Sequence, residues 1–259
     1  MISAARISVI IITLNEERNI EACIQSVLAI SDDIIVIDSG SSDRTLEIAQ
    51  RYTSKVYVQD WQGDGPQRQF GVPRASHEWI LNIDADERLL PEQADTLLEI
   101  AWSGSPLDAF YLRRKNILHG RWVRHSGWYP DLVLRFFHRE RAHFSDRAVH
   151  TKLIARKTGR IPAMLVHYSY RDYAQMLEKM NVYSSISAGE IVNAGRQVHV
   201  WEPLSHGFWM FFRVYFLKLG FRDGVDGAAI ALTSALGSFM KYAKALEMQN
   251  QRTDERSSR

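Results

Sequence analysis

Three β-branched apolar runs, each stopping abruptly at polar or acidic groups, constrain the fold of this chain more than any other feature. Ile7-Ser8-Val9-Ile10-Ile11-Ile12 leads into Thr13-Leu14-Asn15-Glu16-Glu17, and Asp33-Ile34-Ile35-Val36-Ile37-Asp38 leads into Ser39-Gly40-Ser41-Ser42-Asp43. Trp79-Ile80-Leu81-Asn82-Ile83 ends in Asp84-Ala85-Asp86-Glu87. Runs this continuous read as strands buried on both faces. Helical patterns over 15–28, with Asn15 as N-cap, and over 45–52 separate them, with a short strand at 55–58 between. Residues 61–71 read as loop and helix start, and Pro91 fits the first position of a helix to about Trp102. The β-α-β-α-β alternation predicts an α/β fold with a mostly parallel sheet and right-handed crossovers.

Open sheets of this kind bind ligands at the carboxyl ends of their strands, where 13–16, 38–43 and 84–86 all fall. Side chains alternate along a strand, so Asp84 and Asp86 project to the same side. Two hard oxygen ligands so placed suit Mg²⁺ or Mn²⁺. The competing reading is that these acids cap a following helix. Their place beside two other strand ends favours the metal. No G-x-G-x-x-G follows the first strand and no G-x-x-x-x-G-K-[ST] occurs, which disfavours a Rossmann dehydrogenase and a P-loop NTPase.

Charge divides the chain. Residues 1–110 hold 8 Lys/Arg against 18 Asp/Glu, whereas residues 111–160 hold 13 against 3. The basic block is either a solvated face or the meeting surface for an anionic partner. Within it, 111–115 and 132–137 read as strands. The linker at 120–131, rich in aromatic and basic groups, is either an acceptor-binding loop or a small satellite core. Another strand is expected over 149–154. Helices follow at 172–193, 207–221 and 227–246, and neither of the last two offers about 18 uninterrupted apolar residues for a membrane span. The aromatic 207–221 helix fits either the plane of a bilayer interface or packing on the catalytic domain or a second subunit. The polar segment 249–259 predicts disorder. With a single cysteine, Cys23, and no secretory n-region at the start, the chain reads as cytoplasmic.

Together these motifs resemble the inverting family 2 glycosyltransferases with a GT-A fold, a Rossmann-like nucleotide-diphospho-sugar transferase architecture. Gly127-Trp128-Tyr129-Pro130-Asp131, Arg135-Phe136-Phe137, Val149-His150 and Gly220-Phe221-Arg222-Asp223-Gly224 further resemble lipopolysaccharide inner-core β-1,4-glucosyltransferases acting on heptose. The resemblance implies a catalytic domain over 1–165, with a nucleotide-sugar half to 105 and an acceptor half from 106. A C-terminal helical region over 166–248 would serve membrane or oligomer contact, and the tail at 249–259 would follow. It also implies a UDP-sugar donor, a lipopolysaccharide core acceptor, a peripheral membrane surface at the inner face of the cytoplasmic membrane, and no nucleic acid. Thr13, Asn15 and Glu16 would contact the nucleoside, and Asp38 would face the uracil. Asp84 would meet the nucleotide sugar, and Asp86 would ligate a Mg²⁺ or Mn²⁺ bridging the diphosphate. Arg44, Gln67 and Arg68 are further donor contacts, although relatives often carry Lys and Asn near 67–69.

A nucleotide diphosphate leaves as an anion, so it needs charge neutralisation rather than a strong general acid. Inversion then asks for one base on the opposite face of the sugar. Relatives often place an acid after the His of the Val-His motif, but Thr151 follows His150 here, and a threonine is no base at neutral pH. Asp131 is the expected base, ahead of Asp146 and His150. Alternatively Asp131 is a buried partner of Arg135 or Arg124. His150 would complete the metal site, contact the diphosphate or serve structure alone. Two alternatives remain for the whole chain: a polyprenyl-phosphate glycosyltransferase, or a non-catalytic binding module for anionic glycolipid.

Overall fold

The computed structural model describes residues 7–145 and 152–257. In chain order the elements are β1 (Ile7–Thr13), α1 (Ile20–Val27), β2 (Asp33–Asp38), α2 (Thr45–Gln50), β3 (Val56–Val58) and α3 (Asp64–Gly71). Then come β4 (Trp79–Asp84), β5 (Glu87–Leu89), α4 (Ala94–Ser103), β6 (Ala109–Leu118), β7 (Arg121–Trp122), β8 (Asp131–His138) and β9 (Ala142–Phe144). The chain ends with β10 (Leu153–Ala155), β11 (Thr158–Tyr170), α5 (Tyr173–Asn193), α6 (Glu202–Phe212) and α7 (Gly224–Ser257). Two compact units result: residues 1–115 with 131–167, and residues 116–130 with 168–259.

In the first unit β3, β2, β1 and β4 lie side by side and parallel, and β8 and β6 continue the sheet antiparallel. Alternation along the buried runs separates two apolar layers. Val9, Ile11, Val36, Leu81 and Ile83 join the core on one face, while Ile10, Ile35, Ile37 and Ile80 join the core on the other. A strand with both faces covered has no polar side, which is why these sequences show no alternation. Close helix approach is also built in. A Cβ on Gly71, at the end of α3, would stand 2.7 Å from Ile10 Cγ2 of β1.

Several local expectations need correction. Helix α1 starts at Ile20 rather than near Asn15, because the Asn15 side chain is committed to the neighbouring loop and its backbone sits at φ +54°. Asp84 and Asp86 cap no helix. The chain turns straight into β5, whose residues Glu87, Arg88 and Leu89 pair antiparallel with His167, Val166 and Leu165 of β11. Of the strand expected over 149–154, residues to 151 lie outside those described, and β10 begins at Leu153.

In the second unit α5, α6 and α7 pack together with the 116–130 segment. Val123 sits in a buried cluster with Leu118, Met176, Val214 and Ile230, against which Trp128 packs, so part of the aromatic linker is core. Helix α6 begins five residues earlier than the 207–221 pattern and passes into a π-helical turn at Arg213–Leu217. Helix α7 runs on to Ser257, through much of the segment whose polarity predicts disorder. Gln249 anchors it there: its amide accepts from Val198 N–H at 3.1 Å and donates to Arg196 O at 2.6 Å.

Candidate active site

The carboxyl ends of β1, β2 and β4 meet within the first unit. The loops after β1 and β2 are laced together by short polar contacts. Asn15 N–H donates to Ser41 Oγ at 2.8 Å, Ser42 N–H to Asn15 Oδ1 at 2.8 Å, and Glu16 N–H to Thr45 Oγ1 at 2.8 Å. The Glu16 carboxylate accepts from Asn19 Nδ2 at 2.7 Å. Asp38 is wholly buried, and its own turn engages both carboxylate oxygens, through Gly40 N–H, Ser41 N–H and Ser41 Oγ. Here Asp38 builds the loop that shapes the site. Arg44 is not brought in; it lies exposed, paired with Glu47 on its own helix.

Buried polar atoms without partners cluster at this edge. Thr13 Oγ1 and Gln67 Oε1 are buried and accept or donate nothing, although Gln67 Nε2 donates to Ser39 Oγ and Gln59 O. Most buried polar atoms in folded proteins are satisfied, so each of these calls for a water, an ion or a ligand as its partner.

An alternating ionic chain crosses the end of β4. Arg68 on α3 donates from Nη2 to Asp84 Oδ1 at 2.6 Å and from Nη1 to Asn82 Oδ1 at 2.5 Å. Arg135 on β8 donates from Nη2 to Asp84 Oδ2 at 2.5 Å and to Glu87 Oε1 at 3.1 Å. Arg114 on β6 links the fully buried Glu87, at 3.0 Å, to Asp131 Oδ2 at 2.8 Å. Asp131 is thus paired with Arg114. Burial alone would push Asp84 up. Arg135 and Arg68 outweigh it and hold that carboxyl well below the usual range. In the same way Asp84 and Glu87 overcome burial to stabilise the Arg135 cation.

Asp86 differs from its neighbour. Its Oδ1 is buried with no hydrogen-bond partner, and its Oδ2 lies 3.4 Å from His167 Nε2 of β11. Among the described residues no group of three or more His, Cys, Asp or Glu could hold a metal ion. His150 and Asp146 lie outside the described residues. What remains, one anionic oxygen lacking a donor beside an imidazole, fits an ion that takes its other ligands from water and a substrate phosphate.

Residues 8–158 match the description of glycosyl transferase family 2. The chain belongs to that family. Its enzymatic class follows, and its parallel-then-antiparallel sheet is the family's GT-A-like fold. Among the relatives of this glycosyltransferase, an uncharacterized glycosyltransferase of Rickettsia bellii is 31% identical over 259 residues, covering 95% of this chain and 88% of that one. The lipopolysaccharide core biosynthesis glycosyltransferase LpsC of Rhizobium meliloti is 28% identical over 261 residues, covering 94% and 93%. Among solved structures, S. aureus TarS 1–349 in complex with UDP superposes with a TM-score of 0.47 at 16% identity, covering 95% and 91%.

Arg114 and His167 appear in none of the motifs, and Arg135 and Glu87 stand in motifs without a role at the site. The opposite charges of 1–110 and 111–160 were the available signal, since Glu87 takes both its arginines, and Asp84 one of its two, from β6 and β8. His167 carries no such signal, because 166–168 fall where the helical region is expected to begin, whereas they lie in β11.

Proposed function

We propose that this enzyme is an inverting hexosyltransferase that moves glucose from UDP-glucose to a heptose of a lipopolysaccharide inner core at the inner face of the cytoplasmic membrane. The observation that carries the reading is the contrast at the end of β4 in a family 2 domain: Asp84 is clamped by two arginines, while Asp86 keeps a buried oxygen without a partner. LpsC, similar over nearly the whole chain, supports the acceptor class.

In this reading Asp86, with His167 beside it, holds a Mg²⁺ or Mn²⁺. When bound, that ion neutralises charge developing on the departing diphosphate. Thr13 and Gln67 contact the nucleoside from their buried oxygens. Asp84 fixes Arg68 and Arg135 at the strand end, where their cations meet the diphosphate. Asp131 takes the proton of the attacking heptose hydroxyl, and Arg114, donating to its Oδ2, orients that carboxylate.

The test is release of UDP from UDP-glucose with purified inner-core acceptor and divalent metal. Asp86→Ala lowers turnover at least about a hundredfold, the scale of losing a principal electrostatic stabiliser. Near-full, metal-dependent turnover by that variant would sink the proposal.

A further inference from the structure

Helix α6 is apolar on two opposite faces, and only one of them is covered. On the inner side Gly207 lets α7 approach closely, since a Cβ there would stand 3.2 Å from Phe239 Cβ, and Val214 is buried. On the outer side Leu204, Phe208, Phe212 and Phe216 follow at intervals of four, one above another along the helix. Leu204 is 70% exposed and Phe208 75% exposed. Trp209 stacks on Phe212 with ring centroids 6.0 Å apart, and Phe212 meets Phe216 at 5.4 Å. A contiguous exposed apolar patch of this kind marks a contact surface.

The charges beside the ladder identify what it meets. Arg213, Lys218 and Arg222 are exposed. The acids of the same stretch are turned inward. Glu202 is buried against Arg196, Asp223 binds His125 and Ser126, and Asp226 is buried against His119 and Tyr173. The strip therefore shows aromatics and cations without a compensating anion. A second copy is a poor occupant, because a two-fold contact would lay this cationic strip against an identical cationic strip. No helix among the described residues is long and apolar enough to cross a membrane. Aromatic and aliphatic groups flanked by Lys and Arg, on a helix too short to span, suit the plane of a bilayer interface.

We infer that the outer face of α6 and the turn to Arg222 form a docking surface for an anionic lipid bilayer. The surface deepens the proposed function, resting on it only for the leaflet involved, because a lipid-linked acceptor is then met where the enzyme is held.

Flotation of the full chain with vesicles tests the docking surface without donor or acceptor. The protein floats with phosphatidylglycerol-containing vesicles and far less with pure phosphatidylcholine. The triple variant Arg213→Gln, Lys218→Gln, Arg222→Gln loses about a hundredfold in partitioning, at roughly fivefold per cation near a charged surface. Phe208→Ser with Phe212→Ser loses binding to both vesicle types while the far-UV spectrum is unchanged. Equal flotation on both lipids, insensitivity to both sets of substitutions, or a solution dimer that Phe208→Ser dissociates would each overturn the inference. Turnover on a delipidated core oligosaccharide reports separately on the proposed reaction. Loss of flotation with turnover intact refutes only the surface.

Discussion

Replacing Arg135 by Met removes the central cation of the chain that runs from Asp131 to Arg68. The Arg135 side chain is 10% exposed and donates at 2.5 Å to Asp84 and 3.1 Å to Glu87. Met fills similar volume, so the change is chiefly the loss of charge and hydrogen bonds. Arg68 still holds Asp84 and Arg114 still holds Glu87, but each carboxylate is left with an exposed deficit in a poorly solvated place. Removing one partner of a buried ion pair costs about 3–5 kcal/mol. At about 2–4 °C per kcal/mol for a chain of this size, the melting temperature falls by roughly 6–20 °C. Arg44→Met is the control, since its pair with Glu47 is exposed and its loss leaves the melt in place. Thermal unfolding by circular dichroism at pH 7 reads both. Melting of Arg135→Met within about 2 °C of wild type would refute the claim that the cluster organises the strand end.

Three further outcomes follow from particular residues. Asp84 is held below its ordinary value of 3.8, so its stabilising contribution is complete above that pH and is lost progressively as pH falls from there toward the lower native-state value; urea midpoints between pH 2.5 and 7 therefore fall less steeply on the acid side in Asp84→Asn, and an unchanged slope counts against the clamp. Burial, reinforced by Glu87, Asp86 and Asp84, pushes the Cys23 thiol up, so an aromatic disulfide reagent at pH 8 labels it only after denaturant is added, whereas immediate labelling would contradict its placement. Gly71→Ala forces α3 away from Ile10 and costs about 1–3 kcal/mol in urea unfolding; a neutral effect would show the packing to be looser than described.

The buried half of the fold was legible because β1, β2 and β4 are enclosed on both sides, and that burial writes itself as uninterrupted Ile, Val and Leu. The strand-end acids were legible for the same reason, since each breaks such a run. The partners of those acids were not. Arg68 lies 16 residues from Asp84 and Arg135 lies 51 away, and ion pairing across a sheet leaves no periodic trace. Strand β5 was hidden as well, because it is three residues long and pairs with β11, far along the chain. Asn15 looked like a cap because its residue type favours one; its side chain instead joins two loops, which only tertiary structure could reveal. At α6 composition identified an aromatic helix, but not which of its faces is buried and which exposed.

Calorimetry of UDP binding, with Mn²⁺ and with chelator, on the wild type and on Asp86→Asn tests most directly the claim that Asp86 holds a metal at the diphosphate. Mn²⁺ strengthens UDP binding by the wild type, and the substitution removes this gain while weak metal-free binding persists. UDP binding indifferent to Mn²⁺, or a gain that survives in Asp86→Asn, would contradict it.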